Sequence, residues 1–124
     1  MERTKAKKNA ERLLPPHRAD EYHYTVGWSE EDRAFVGRVA EFESLAAHGR
    51  TLESALREIK SVVKTVLEDL VASGEEITQP FSKRRFSGKL NLRMPESMHR
   101  QLALEAARQG ISLNQLINLK LTVA

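Results

Sequence analysis

The sequence predicts an α+β protein built from two modules. Residues 22–80 contain a strand pair followed by one long helical stretch, and residues 87–124 contain one strand followed by two helical stretches. The formal net charge is +4 over residues 1–18, −7 over residues 19–81 and +6 over residues 82–124. This pattern indicates an acidic body joined to a basic C-terminal module, and the basic part suits a polyanionic partner.

Length and composition restrict the class of protein further. A chain of 124 residues suits one ordinary domain or two small ones. The absence of cysteine removes any argument for a disulfide framework or a thiolate metal site. No apolar run approaches the roughly 20 residues of a membrane span, and the N-terminus is too charged for a signal peptide. We expect a soluble cytoplasmic protein without membrane association.

The expected domain organisation has four parts. Residues 1–18 lack periodicity and end in Pro15-Pro16, which predicts a flexible basic arm that allows a short helical turn around Ala10–Leu14. The arm is either a solubilising tail or a contact to nucleic-acid phosphates. The other parts are a first domain at residues 19–80, a linker at 81–86 and a second domain at 87–124.

The first domain opens with a predicted hairpin. Tyr22–Trp28 is rich in aromatic and β-branched residues, Ser29–Arg33 is a polar turn, and Ala34–Val39 is the return strand. The connection Ala40–Arg50 contains a short third strand near Ser44–His48.

A long helix follows this connection. Thr51 is a good N-cap, Glu53 lies in the first turn where the helix dipole favours an anion, and Gly74 is the expected C′ residue. Apolar residues keep helical spacing between these ends: Leu52, Leu56, Ile59, Val62, Val63, Val66, Leu67 and Leu70. The chain leaves this domain near Pro80.

The second domain begins with a strand of strict polar–apolar alternation. Its polar set is Lys89, Asn91 and Arg93, and its apolar set is Leu90, Leu92 and Met94. Period-two alternation places the two sets on opposite faces of a strand. Cationic and amide side chains are those that pair with guanine and adenine edges in the DNA major groove, so the polar set is a candidate for reading bases.

Two helices complete the second domain. Pro95 suits a helix start, Gly110 ends that helix, and Ser112 with Gln115 fits a capping box that opens the next one. Fewer than 40 residues bury too little apolar surface to be stable alone, and a lone strand leaves both edges unpaired. Antiparallel pairing of two copies would solve both problems. The expected dimer core is Leu90, Leu92, Met94, Met98, Leu102, Leu116 and Ile117.

Residues 89–95 and 110–114 together resemble the Arc-like ribbon–helix–helix repressors. The resemblance implies a dimer with an antiparallel two-stranded ribbon. It also implies that Lys89, Asn91 and Arg93 read operator bases. The N-terminal end of the second helix would hold a DNA phosphate, which its free N–H groups also favour, at Ser112, Leu113 and Asn114. Lys89 and Met94 depart from the Arc pattern, which has Gln and Trp there. The alternative is an edge strand of one larger domain whose charged face only keeps it soluble.

Residues 22–80 resemble the N-terminal domain of HicB antitoxins. Gly49, Thr51 and Ala55 match a Gly-x-Thr-x-x-x-Ala pattern at the helix start, whereas Ala40-Glu41 departs from the usual Pro-Asp. The resemblance implies a small, partial and non-catalytic relative of ribonuclease H. It further implies an antitoxin of a type II toxin–antitoxin system. Such a protein neutralises a HicA-type toxin, a basic mRNA-cleaving ribonuclease, and represses its own operon.

Enzymatic and metal-binding alternatives have weaker support in the sequence. A metal nuclease needs converging carboxylates, and the candidates are Glu30, Glu31, Asp32, Glu41 and Glu43. The four histidines, His17, His23, His48 and His99, lack metal-ligand spacing. The aromatic residues Tyr22, Tyr24 and Trp28 suit a core or an interface better than an RNA-stacking platform. We expect no enzyme activity, no metal and no cofactor.

The expected partners are a HicA-like ribonuclease toxin, operator DNA and a second copy of the chain, as a homodimer or a higher oligomer built from it. The alternative is a stand-alone ribbon–helix–helix transcription regulator. Its N-terminal domain would serve oligomerisation or sensing.

Overall fold

A computed structural model of the protein describes residues 14–123. Most of the basic arm expected at residues 1–18, and most of the turn expected around Ala10–Leu14, lies outside the described residues. The chain divides into two compact units, with the boundary between Arg85 and Phe86. The α+β class is confirmed, and each unit has its own architecture.

The first unit contains a three-stranded antiparallel sheet of order β1-β2-β3. The strands are β1 at Tyr24–Ser29, β2 at Ala34–Val39 and β3 at Phe42–Gly49. The hairpin is confirmed, with Trp28 opposite Phe35 in its register. The third strand is longer than predicted, because it begins directly after a tight turn and includes a register irregularity beside Val39 of β2.

Helix α1 spans Leu52–Ser73, and both of its predicted ends are confirmed. The backbone N–H of Ser54 donates to Thr51 Oγ1 at 3.0 Å, and the backbone N–H of Thr51 donates to Ser54 Oγ at 3.0 Å. This reciprocal pair satisfies two N–H groups that a helix start leaves open. Gly74 adopts a left-handed φ of 72° and donates its N–H back into the last turn.

One face of the sheet is covered by α1. The residues buried on the helix are Ala55, Ile59, Val63 and Leu67, and the last three pack with Tyr22, Val39 and Ala47. The approach is closest at Gly37, where a Cβ atom would lie 2.8 Å from the backbone oxygen of Ala55 and 2.8 Å from Ile59 Cγ2. Glycine at this position therefore sets the spacing between helix and sheet.

Glu41, in the turn between β2 and β3, has a fully buried side chain. It accepts hydrogen bonds of 3.0 Å from the backbone N–H groups of His23 and Phe81, and its Oε2 lies 3.0 Å from His23 Nδ1. Burial of the carboxyl group opposes its ionisation. The hydrogen bonds from His23 and Phe81 outweigh this effect and hold the pKa of Glu41 below its usual value.

The segment that leaves α1 is packed against the first unit. Tyr22 Oη donates to the carbonyl oxygen of Thr78 at 2.5 Å, and Pro80 is buried. A 3₁₀ turn follows at Phe81–Lys83. The Arg84 guanidinium lies 4.1 Å from the centroid of the Phe81 ring. Residues 81–84 belong to the segment predicted as a linker, and they make contacts within the first unit.

The second unit contains two helices, α2 at Glu96–Gln109 and α3 at Leu113–Val123. The predicted stop at Gly110 is confirmed, since its φ is 69° and its N–H bonds back to the last turn of α2. Ala106 and Leu116 are the buried residues of this unit among those described. Burial of these two side chains removes little apolar surface from water, which is too little for a domain that is stable by itself.

Candidate nucleic-acid interface

Residues 89–94 form no strand in the described single chain. The segment follows Gly88, which has a left-handed φ of 78°. Leu90 is 84% exposed and Leu92 is 58% exposed. A strand requires a paired neighbour, and the one expected here belongs to a second chain. The ribbon therefore stays a prediction for the paired state.

An open cavity of about 440 Å³ lies beside this segment. The segment contributes Leu90, Leu92, Arg93 and Met94 to its lining, and the helices contribute His99, Leu113, Asn114 and Ile117. All three residues of the apolar set therefore border this cavity. Arg93 also lines the cavity, although alternation predicts that it points away with Lys89 and Asn91.

The candidate base-reading side chains are available for a ligand. Lys89, Asn91 and Arg93 are all exposed. Within residues 14–123, no side-chain hydrogen bond or ion pair joins any of the three to another residue. Their donors can therefore bind base edges without first breaking contacts inside the protein.

The residues expected in a dimer core differ in how far they are buried within the single chain. Leu116 is 2% exposed and already packs inside the single chain. Met94, Leu102 and Ile117 are half-buried, while Met98 is exposed. Together with Leu90 and Leu92, these side chains offer apolar surface to a partner. Fully burying one such side chain stabilises an assembly by roughly 1.5–3 kcal/mol.

The start of α3 carries the predicted capping box. The Ser112 N–H donates to Gln115 Oε1 at 2.9 Å, and the Gln115 N–H donates to Ser112 Oγ at 3.0 Å. A phosphate at this helix end would therefore use the N–H groups of Leu113 and Asn114, with the Ser112 hydroxyl hydrogen as a further donor.

Three of the five carboxylates considered for metal binding, Glu30, Asp32 and Glu41, have other contacts. Glu30 accepts a 2.8 Å hydrogen bond from Trp28 Nε1, and Asp32 lies 3.1 Å from His48 Nε2. Glu41 is the buried acceptor already described. Between residues 14 and 123, no group of three or more histidine or carboxylate side chains could hold a metal ion.

Two features were not predicted. The sequence assigned His99 no role, and the structure places it on the exposed surface of α2, where it also lines the cavity of the second unit. Its position one turn after Pro95, beside the apolar face of α2, was the available signal. Glu41 was considered only as a candidate metal ligand, and no local pattern indicated its partners, because they lie 18 and 40 residues away.

Comparison with known proteins connects these observations to one family. The HicB family model matches residues 72–121. This similarity to HicB covers about two fifths of the chain, from the end of α1 into α3. Residues 22–71, which include most of the segment that resembles a HicB N-terminal domain, lie outside the match. The HicB similarity suggests a role related to toxin–antitoxin systems.

The other comparisons add no relative. Neither curated proteins nor solved structures give a significant match to the chain. Over the part of the chain that the structure describes, no helix has the length and apolar character needed to cross a membrane.

Proposed function

We propose that the chain is an antitoxin of a type II toxin–antitoxin system. Its second unit would dimerise as a ribbon–helix–helix module and bind operator DNA. Its first unit, in the manner of a partial ribonuclease H fold, would bind and neutralise a HicA-type mRNA interferase. The protein itself would act by binding and not by catalysis.

The observation that carries the proposal is the position of the HicB match, which includes nearly the whole second unit. That unit has the alternating segment at residues 89–94, then α2 and then the capped α3, which is the order that the ribbon–helix–helix resemblance requires. Its exposed Leu90 and Leu92 beside an open cavity support pairing with a second chain. The three uncommitted polar side chains support sequence-specific DNA binding.

The charge of the first unit supports the toxin-binding role. Residues 19–81 have a net charge of −7. A basic ribonuclease would associate quickly with such a surface because long-range attraction steers the encounter.

Operator binding can be tested with one pair of substitutions. Arg93→Ala should abolish specific binding to DNA upstream of the gene, because a bidentate base contact is worth about 1–3 kcal/mol and occurs twice in a dimer. Arg57→Ala removes the same charge from α1 of the first unit and should leave the footprint intact. A footprint unchanged by Arg93→Ala would refute the base-reading assignment.

Toxin binding can be tested by co-purification from the native operon. The proposal expects a small basic ribonuclease to co-purify in a stoichiometric complex that lacks mRNA-cleaving activity. Metal-dependent cleavage by the purified chain alone would instead support a nuclease.

A stand-alone transcription regulator is the second candidate. It is favoured by the extent of the HicB match, which does not include most of the first unit. A chain that binds operator DNA but co-purifies with no basic ribonuclease, and has no short basic reading frame beside its gene, would fit this alternative.

A further inference from the structure

One edge of the sheet in the first unit is open. The Ala40 N–H donates to the His23 carbonyl oxygen at 2.8 Å, which makes these two residues a hydrogen-bonded pair at the end of the β1–β2 ladder. In an antiparallel ladder, hydrogen-bonded pairs alternate with pairs whose backbone groups point away from the neighbouring strand. The backbone groups that point away from β2 therefore belong to Tyr24, Val26 and Trp28. Within residues 14–123, no strand pairs with this side of β1.

Trp28 lies at the far end of this edge and is 53% exposed. Its ring lies 5.1 Å from the Phe35 ring in an edge-to-face arrangement with an interplanar angle of 71°. Its Nε1 donates to Glu30 Oε2 at 2.8 Å. A half-exposed tryptophan held in place by a second ring and a hydrogen bond is a rigid apolar anchor, since little rotamer freedom remains to be lost on binding.

Carboxylates follow this anchor in the chain. The turn between β1 and β2 contains Glu30, Glu31 and Asp32, followed by Arg33. Among the described residues, neither Glu30 nor Glu31 forms an ion pair with a lysine or arginine. We define the Trp28 surface as the outer edge of β1, the Trp28–Phe35 pair and residues 30–32. An aromatic centre with a charged rim is the usual anatomy of a protein–protein hot spot.

We infer that the Trp28 surface is the docking site for the basic ribonuclease toxin, an inference that rests on the proposed function. Trp28 enters the interface as its apolar anchor. The carboxylates of residues 30–32 pair with cationic side chains of the toxin. The open N–H and C=O groups of β1 are covered by the partner, as at sheet edges that accept an added strand.

Charge complementarity selects this occupant over a second copy of the chain. A second copy of the chain would bring another first unit of net charge −7 over residues 19–81 to this surface, and like charges across an interface are repulsive. A partner rich in lysine and arginine meets no such repulsion.

The charged rim is tested by two matched double substitutions in the full chain. Glu30→Lys with Glu31→Lys, and Glu75→Lys with Glu76→Lys, make the same change in net charge at adjacent exposed residues. The probe is the ribonuclease co-purified with the wild-type chain, released in guanidinium and refolded. The first pair should weaken its binding at least tenfold, and the second should weaken it less than threefold. Equal weakening by both pairs would show that only net charge matters and would overturn the inference.

The anchor is tested by Trp28→Ser. This change should weaken toxin binding at least tenfold, while Leu104→Ser, at a residue of similar exposure in the second unit, should have little effect. Thermal unfolding of each variant separates loss of the interface from loss of the fold. A folded Trp28→Ser chain that binds as tightly as wild type would overturn the inference.

A third measurement needs no substitution. Trp28 is the single tryptophan of the chain, so a 5-fluorotryptophan-labelled protein has one ¹⁹F resonance that reports this surface. Toxin binding should shift that resonance and slow amide exchange at Tyr24, Val26 and Trp28. Protection elsewhere in the first unit, with these three unchanged, would refute the Trp28 surface but leave the proposed function intact. Absence of any complex with the wild-type chain would refute both.

Discussion

Gly37 shows how a single residue fixes the distance between helix and sheet. Gly37→Ala should destabilise the protein by about 1–3 kcal/mol, because the new methyl group would meet the Ala55 backbone oxygen and Ile59 at 2.8 Å. Gly27→Ala is the matched control on the neighbouring strand, where no atom lies within 4 Å of an added Cβ. Denaturant unfolding measures both. An equal loss in the two variants would mean that close packing is not the cause.

A second prediction about a single residue concerns Glu41. Glu41→Gln should destabilise the fold by about 1–3 kcal/mol near neutral pH, because it weakens buried hydrogen bonds to a charged acceptor. Glu43→Gln removes the same charge from an exposed neighbour and should change little.

The effect of Glu41 should also depend on pH. Its pKa is lowered in the folded state, so its stabilisation is complete above the unfolded pKa of about 4.3 and is lost as the pH falls through the folded value. The difference in unfolding free energy between wild type and Glu41→Gln should therefore shrink between about pH 5 and pH 3. A difference that grows on acidification would contradict this account.

At the scale of elements, the cap of α1 makes the clearest prediction. Thr51→Ala should cost about 1 kcal/mol, because Thr51 Oγ1 accepts the N–H of Ser54 at the helix start. Thr65→Ala makes the same chemical change at an exposed position inside the helix, where alanine has the higher helix propensity. Thermal unfolding should separate the two. A destabilising Thr65→Ala and a neutral Thr51→Ala would contradict the capping role of Thr51.

Elements with local signals were predictable from the sequence. The ends of α1 follow from Thr51 and Gly74, and Gly110 and Ser112 define the junction of α2 and α3, because caps depend on residues within one turn. The start of β3 at Phe42 was not predicted, since it depends on pairing with β2 across a register irregularity. The partners of Glu41 were not predicted for the same reason, because they are distant in sequence.

The candidate site was predictable only in part. The alternation of residues 89–94 identified its polar and apolar sets, and the cavity lining agrees for the apolar set. The exposure of Trp28 depends on three-dimensional packing that spacing does not encode, whereas the hydrogen bond from the Ser112 N–H to Gln115 is one that the capping-box spacing predicts.

At the scale of the whole molecule, the first unit should need its exit segment. A chain truncated after Arg85 keeps the Phe81 N–H bond to Glu41, the 3.0 Å ion pair between Lys83 and Glu21, and the stacking of Arg84 on Phe81. A chain truncated after Pro80 loses all three. The longer fragment should melt at the higher temperature, and equal melting temperatures would mean that these contacts contribute nothing to stability.

The exposure of Leu90 and Leu92 has a consequence for how operator binding depends on protein concentration. If the DNA-reading ribbon forms only between two chains, its abundance at low concentration follows the square of the free chain concentration. Halving the free chain would then leave about a quarter of the ribbons. Operator occupancy would fall steeply over a narrow range of protein level, so a modest drop in supply could switch the promoter on.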